Sequence, residues 1–211
     1  MTMQVRDTVR LEGEQWDLLG HTGPGGSPFD IERRGLKAFV FATSCWRGHV
    51  CFYSADKRLR LLSLKINLLP QHLRLIRYRP PIPNILTFDT DFLWHYFCRF
   101  TVDYTGRLLL GMGYREQQQG EPMDLAMRYQ QLKEVAVESG WIIGVEDLTK
   151  KRDALIEAVL AMPQPDPQGP TEDYMLHDYA IRKRVHDDLL SAYHEEPSDP
   201  RPAIDAAKKR S

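Results

Sequence analysis

Residues 42–55, ATSCWRGHVCFYSA, bring together two of the chain's three cysteines, a histidine, a tryptophan and an arginine. Three kinds of behaviour suit such a set. Cys45-x3-His49-x-Cys51, with Cys98 as a fourth ligand, supplies soft donors for zinc. A thiol beside Arg47 and His49 supplies a nucleophile of lowered pKa. The third reading is conformational. Cys-Trp-Arg-Gly forms a tight turn in which Gly48 takes a positive φ, Trp46 covers a sheet end and Arg47 stands at the tip, free to meet a partner.

Spacing argues against the metal. On a continuous strand Cys45 and Cys51 stand about 20 Å apart at ~3.3 Å per residue, against a Zn–S bond of about 2.3 Å. Folding at Trp46–Gly48 shortens that gap, yet His49 and Cys51 stay roughly 7 Å apart along one strand. The close ligand pairs that mark structural zinc, such as C-x2-C, are missing. The thiol lacks a helix N-terminus and a visible residue to orient the histidine. The turn is therefore the favoured reading, with the cysteines as buried strand residues. No catalytic residue, metal ligand or cofactor is expected.

The remaining chemistry-bearing clusters have plainer explanations. Asp89-Thr90-Asp91 suits a hard cation, but Asp and Thr ahead of an aromatic run more often cap a helix. The doublets His177-Asp178 and His186-Asp187 resemble the metal-binding doublet of HD-type phosphohydrolases. Nine residues at 100° each, however, put the two histidines on opposite faces of one helix. GPGGSP, residues 23–28, has neither P-loop nor dinucleotide-binding spacing, and no GxSxG or HExxH occurs.

Charge is more informative. The formal net charge of −1 conceals +6 over residues 1–115 and −7 over 116–211. Residues 56–79 carry Lys57, Arg58, Arg60, Lys65, Arg74, Arg77 and Arg79 against Asp56 alone. Arg58 and Arg60 share one strand face, as do Arg77 and Arg79 with Tyr78 between them. Guanidinium beside an aromatic ring suits phosphate or single-stranded nucleic acid, although such charge is also the ordinary solvated side of a sheet. The candidate binding residues are thus Trp46, Arg47, Arg58, Arg60, Arg74, Arg77 and Arg79.

The elements that would carry them read as follows. VRDTVRLEGEQWDLLG alternates around Glu12-Gly13-Glu14 as a hairpin. LKAFVFATS, HVCFYSA and RLRLLSLKI are β-rich. Leu59 and Leu61 share one parity, Leu62, Leu64 and Ile66 the other, which predicts a bulge between 61 and 62 or a strand buried on both faces. Arg74, Ile76 and Tyr78 alternate as a strand up to RPPIP. Residues 91–100 fit either period, and a short helix running into a strand is the reading adopted. TVDYTGRLLLGMGY turns as a hairpin at Tyr104-Thr105-Gly106, and VAVESGWIIGV at Glu138-Ser139-Gly140.

From 147 the pattern becomes helical, with Leu148, Leu155, Ile156, Val159 and Leu160 recurring through residue 162. The proline-rich linker 163–170 spans roughly 25 Å at ~3.1 Å per residue. A second amphipathic helix over 171–196 carries Ile181, Val185, Leu189, Ala192 and Tyr193 on one stripe, and 197–211 form a flexible tail. The fold class expected is α+β: a mainly antiparallel, barrel- or sandwich-like β body over 1–146 followed by two C-terminal helices.

DTVRLEGEQWDLLG, CWRGHVCFY, RYRPPIPNI and YTGRLLLGMGY, spread over residues 7–146, resemble small β-rich bacterial proteins without an assigned activity. The resemblance implies a fold and, by analogy, a role as an accessory or immunity factor that acts by binding. Three sparse cysteines, no secretory leader and no apolar run of ~18–20 residues point to a cytoplasmic protein outside the membrane. The leading expectation is a non-enzymatic protein-binding module of immunity or antitoxin type, meeting a protein such as a toxin or self-associating through its last helix. A nucleic-acid or nucleotide binder using 58–79 comes second, and a cysteine-dependent enzyme third.

Overall fold

A computed structural model describes residues 5–23, 27–40, 45–83, 91–115, 126–162, 180–181, 183–191 and 193–195. Asp89, Thr90, residues 24–26 of the glycine loop, the 163–170 linker, His177-Asp178 and the 197–211 tail lie outside these residues.

The described strands are β1 (Thr8–Leu11), β2 (Glu14–His21), β3 (His49–Ala55), β4 (Leu59–Ile66), β5 (Ile82–Pro83), β6 (Trp94–Thr101), β7 (Gly106–Tyr114), β8 (Tyr129–Glu138), β9 (Trp141–Asp147) and β10 (His194–Glu195). They form one mixed sheet in the order β5-β6-β4-β3-β1-β2-β7-β8-β9, with β10 also paired to β2. Every pairing is antiparallel except β1 with β3, where Thr8, Val9 and Arg10 lie beside Phe52, Tyr53 and Ser54. The sheet curls until the start of β9 reaches the β3–β4 connection: Gly140 accepts from the Leu59 N–H at 2.9 Å, and Lys57 accepts from Ile142 at 3.1 Å.

Two of the expected hairpins form for the expected reason. Glu12 and Gly13 have φ of 55° and 87°, and Ser139 and Gly140 have 47° and 79°. Positive φ at both central residues is what a two-residue turn needs to match strand twist, and glycine takes the second place in each. The phase change in β4 is a bulge. Tyr53 pairs with Leu61 and Phe52 with Ser63, so Leu62 is extra, and Leu59, Leu61, Leu64 and Ile66 all reach one core. With Trp16, Leu18, Tyr53, Tyr96 and Leu110 they fill the concave side of the sheet.

Three local expectations are corrected. Residues 74–79 are a tight turn rather than a strand: Ile76 and Arg79 exchange N–H···O bonds of 3.1 and 3.0 Å around Arg77 and Tyr78. No helix precedes β6 among residues 91–93, which form a bend leading directly into the strand. Finally, Tyr104-Thr105-Gly106 does not close a hairpin. It carries the chain away from β6, which pairs with β4 and β5, to β7, which pairs with β2 and β8.

Helix α1 (Thr149–Leu160) follows β9 directly. Its start is held by the Asp147 carboxylate accepting from the Thr149 N–H at 2.8 Å, contacts that lower the Asp147 pKa. Buried Arg152 ties the helix to β8, donating to the Tyr129 carbonyl and, at 2.7 Å, to that of Gln130. Leu155 and Val159 pack with Leu19, Leu109 and Leu132 on the sheet's convex side, and Ile181, Val185, Leu189 and Leu190 join the same cluster. Of the apolar stripe read from the sequence, Ile181, Val185 and Leu189 are thus buried on the chain's own sheet, with Tyr193 partly buried beside them. Helical structure there passes into a π-helical turn, His186–Leu190, and gives way to β10 rather than running to 196.

Candidate binding face

The Cys45–Gly48 turn forms: the Gly48 N–H donates to the Cys45 carbonyl at 3.1 Å, and Gly48 has a φ of 65°. A side chain there would also strike Phe39, whose carbonyl oxygen lies 2.2 Å from the position of a Cβ. The expectation that Arg47 is free at the tip is wrong. Its Nη2 donates to Asp7 Oδ1 at 3.1 Å, and the same oxygen accepts from the Cys51 N–H at 2.7 Å. Asp7 is fully buried, and its other oxygen has no hydrogen-bond partner among the described residues. Arg47 therefore neutralises an interior charge, 40 residues away in sequence, that spacing alone does not reveal. Trp46 is half-buried beside it.

The neighbouring groups are built for burial rather than reaction. Burial raises the Cys45 thiol pKa despite the Arg47 charge, and pushes Cys98 up to about 12. Burial, followed by the Arg47 charge, lowers His49 below the ordinary histidine range. A thiol held protonated is a poor nucleophile. Among the described residues no three His, Cys, Asp or Glu side chains gather as a metal site.

The arginines lie elsewhere. Arg58, Arg60, Arg77 and Arg99 line one shallow depression of about 630 Å³ together with Phe100, and Asp103 is the single carboxylate in its lining. Three segments supply them. Arg58 and Arg60 flank Leu59 at the start of β4 and so share a side. Arg77 comes from the 76–79 turn, with its guanidinium 4.5 Å above the centre of the Phe100 ring. Arg99 sits in a bulge of β6, where Cys98 and Arg99 together oppose Leu62, and its φ is 59°. Arg58 in turn stacks on Trp141, its guanidinium 3.7 Å from the centre of the ring. None of the four makes a salt bridge among the described residues.

A second cavity of about 310 Å³ shares Phe100, Thr101 and Asp103 and adds Arg33 and Arg34. Here Arg33 is held by Asp30 at 3.2 Å, while Arg34 lies 5.8 Å from the ring of Phe29, which in turn packs against Phe100. The basic surface thus continues beyond the segment that the sequence singled out.

Backbone strain collects at the same place. Five described residues other than glycine have positive φ: Glu12, Arg77, Tyr78, Arg99 and Ser139. Arg77, Arg99 and Ser139 line the depression, and Tyr78 adjoins it. Each such residue costs about 1–2 kcal/mol relative to ordinary backbone. The 76–79 turn has the backbone of the two glycine hairpins but puts Arg77 and Tyr78 at its centre.

Of the residues singled out from sequence, Arg58, Arg60 and Arg77 come together. Arg74 folds back on the Gln71 and Leu73 carbonyls, and Arg79 closes the turn through its backbone; neither lines the depression. Trp46 and Arg47 lie outside it as well. Arg99, Phe100 and Trp141 were not singled out. The signal for Arg99 was an arginine inside an aromatic alternation, but its bulge is set by pairing with β4 and not by local pattern. No protein-family model matches this chain, and no curated protein or solved structure matches it either.

Proposed function

We propose that this chain is a non-enzymatic binding module whose working surface is the arginine-lined depression and whose partner is anionic there. One observation carries the reading. Four arginines from three separate segments line one depression with a single carboxylate among them and no ion pair among the described residues. Such a cluster repels itself in the free protein and is relieved when an anion binds. The burial of Cys45 and Cys51, together with the raised Cys45 pKa, weighs against the cysteine-enzyme reading.

An inhibitor or immunity-type module would meet an acidic face of its target protein here, whereas a nucleic-acid binder would meet phosphates. Self-association through the last helix is the less supported route, because its apolar residues already pack on β2, β7 and β8. The three cysteines are unpaired, which fits a reducing cytoplasm. Among the described residues no helix is long and apolar enough to cross a membrane.

Retention of the full chain on heparin tests the reading. Wild type is expected to bind at low salt and elute as salt rises, and an R58A/R77A variant to elute earlier. A charge-matched K150A/K151A variant, altered on the exposed side of α1, should elute like wild type. Equal elution of both variants, or no retention of the wild type, would overturn the proposal.

A further inference from the structure

We infer that the anionic partner is a single-stranded nucleic acid, its backbone lying across the arginines and a base stacked on Tyr78. The inference rests on the binding-face reading and names its ligand.

Three features favour a strand over an acidic protein surface. The depression is shallow and open, so a polymer can cross it. Two of its guanidinium groups lie over rings, Arg77 over Phe100 and Arg58 over Trp141. Stacking holds each guanidinium flat and leaves its N–H edge available to phosphate oxygens. The third feature is Tyr78, which is 93% exposed at the apex of a turn locked by the reciprocal Ile76–Arg79 hydrogen bonds. Both central residues of that turn have a φ that side chains disfavour, and burial of Tyr78 does not offset it. Strain of this kind persists where the conformation serves a site, and an aromatic ring presented beside arginines is what an unpaired base stacks on. Carboxylates on a protein would use the arginines but have no need of the ring. A duplex, with its bases already stacked, would not use it either.

Fluorescence anisotropy with a labelled twelve-residue oligo(dT) tests this, using the full chain. If four phosphates are neutralised, log K should fall against log salt with a slope of about −2.8. The single strand should bind more tightly than a duplex of the same length and should resist competition by polyglutamate of equal charge. Tyr78→Gly should weaken oligonucleotide binding by about 5- to 140-fold, the usual worth of one stacked base. Heparin retention should be unchanged in that variant and thermal stability not lowered, because glycine accepts the φ of 66°. R58A/R77A should weaken both kinds of binding. If polyglutamate or duplex binds as well as the single strand, or if Tyr78→Gly leaves oligonucleotide affinity intact, the nucleic-acid inference falls while the binding face stands. If heparin also fails to hold the protein, both fall.

Discussion

The buried pair Asp7–Arg47 gives the sharpest test of the fold, because it separates two readings of one residue. If Arg47 were a free arginine at a turn tip, replacing it with alanine would change stability by less than about 0.5 kcal/mol. In the structure its removal strands a carboxylate that is 0% exposed, with the Cys51 N–H as its one remaining donor among the described residues. Breaking a buried pair from one side costs about 3–5 kcal/mol, a large share of the 5–15 kcal/mol typical of a whole domain. The two sides are not equivalent. Arg47 is 18% exposed and can turn toward water when its partner is neutralised, whereas Asp7 cannot. Asp7→Asn, which keeps an acceptor for the Cys51 N–H, should therefore cost less, about 1–3 kcal/mol. The double variant should fall well short of the sum, with a coupling above about 1 kcal/mol. Urea unfolding followed by tryptophan fluorescence measures all three, provided the slope against denaturant is unchanged. A loss under 1 kcal/mol for Arg47→Ala, or a larger loss for Asp7→Asn, would refute the reasoning.

Three further outcomes are expected. Gly48→Ala, at φ 65° with Phe39 in the way, should cost about 2–5 kcal/mol; Gly13→Ala, at φ 87° with nothing within 4 Å, should cost only about 1–2 kcal/mol by the same unfolding assay. The lowered His49 pKa means that below the ordinary histidine value of about 6.5 the unfolded chain binds the extra proton more readily than the folded one. His49 should thus contribute a loss of stability between pH 7 and 5 of at most about 1.4 kcal/mol per unit, and a pH series of melts on His49→Gln should be flatter. Native Cys45 and Cys98 should not react with a disulfide reagent at pH 8, since burial raises both and holds Cys98 near 12; both should react once urea unfolds the chain.

What the sequence disclosed was whatever a short window decides. Glu12-Gly13 and Ser139-Gly140 announce hairpins because glycine after a polar residue suits a two-residue turn. The parity change at Leu61–Leu62 admits a bulge or a strand buried on both faces, and the bulge forms because one core receives Leu59 and Leu61 as well as Leu64 and Ile66. The readings failed where a distant partner decides. Arg74-Ile76-Tyr78 alternate like a strand, but strand pairing needs a neighbour, and the segment closes on itself instead. Tyr104-Thr105-Gly106 has turn composition, yet composition does not say whether the flanking strands pair with each other. Arg47 appeared free because its carboxylate lies at residue 7. At the candidate face, Arg58 and Arg60 were legible as neighbours on one strand. That Arg77 and Arg99 would join them depended on two segments adopting positive φ without glycine, a choice that local propensity argues against.

The lone parallel pairing bears on how the chain is made. Residues 8–21 emerge from the ribosome as a ready hairpin, but β1 must wait for residues 52–54 and β2 for residues 108–111. During that interval Val9, Leu11, Trp16 and Leu18, all destined for the core, have no cover. Both flanks of the hairpin are also open to stray strands, a condition that invites association between nascent chains. Its shortness and the exposed Arg10, Glu12, Glu14 and Gln15 are the safeguards the hairpin carries until β3 and β7 arrive to enclose it.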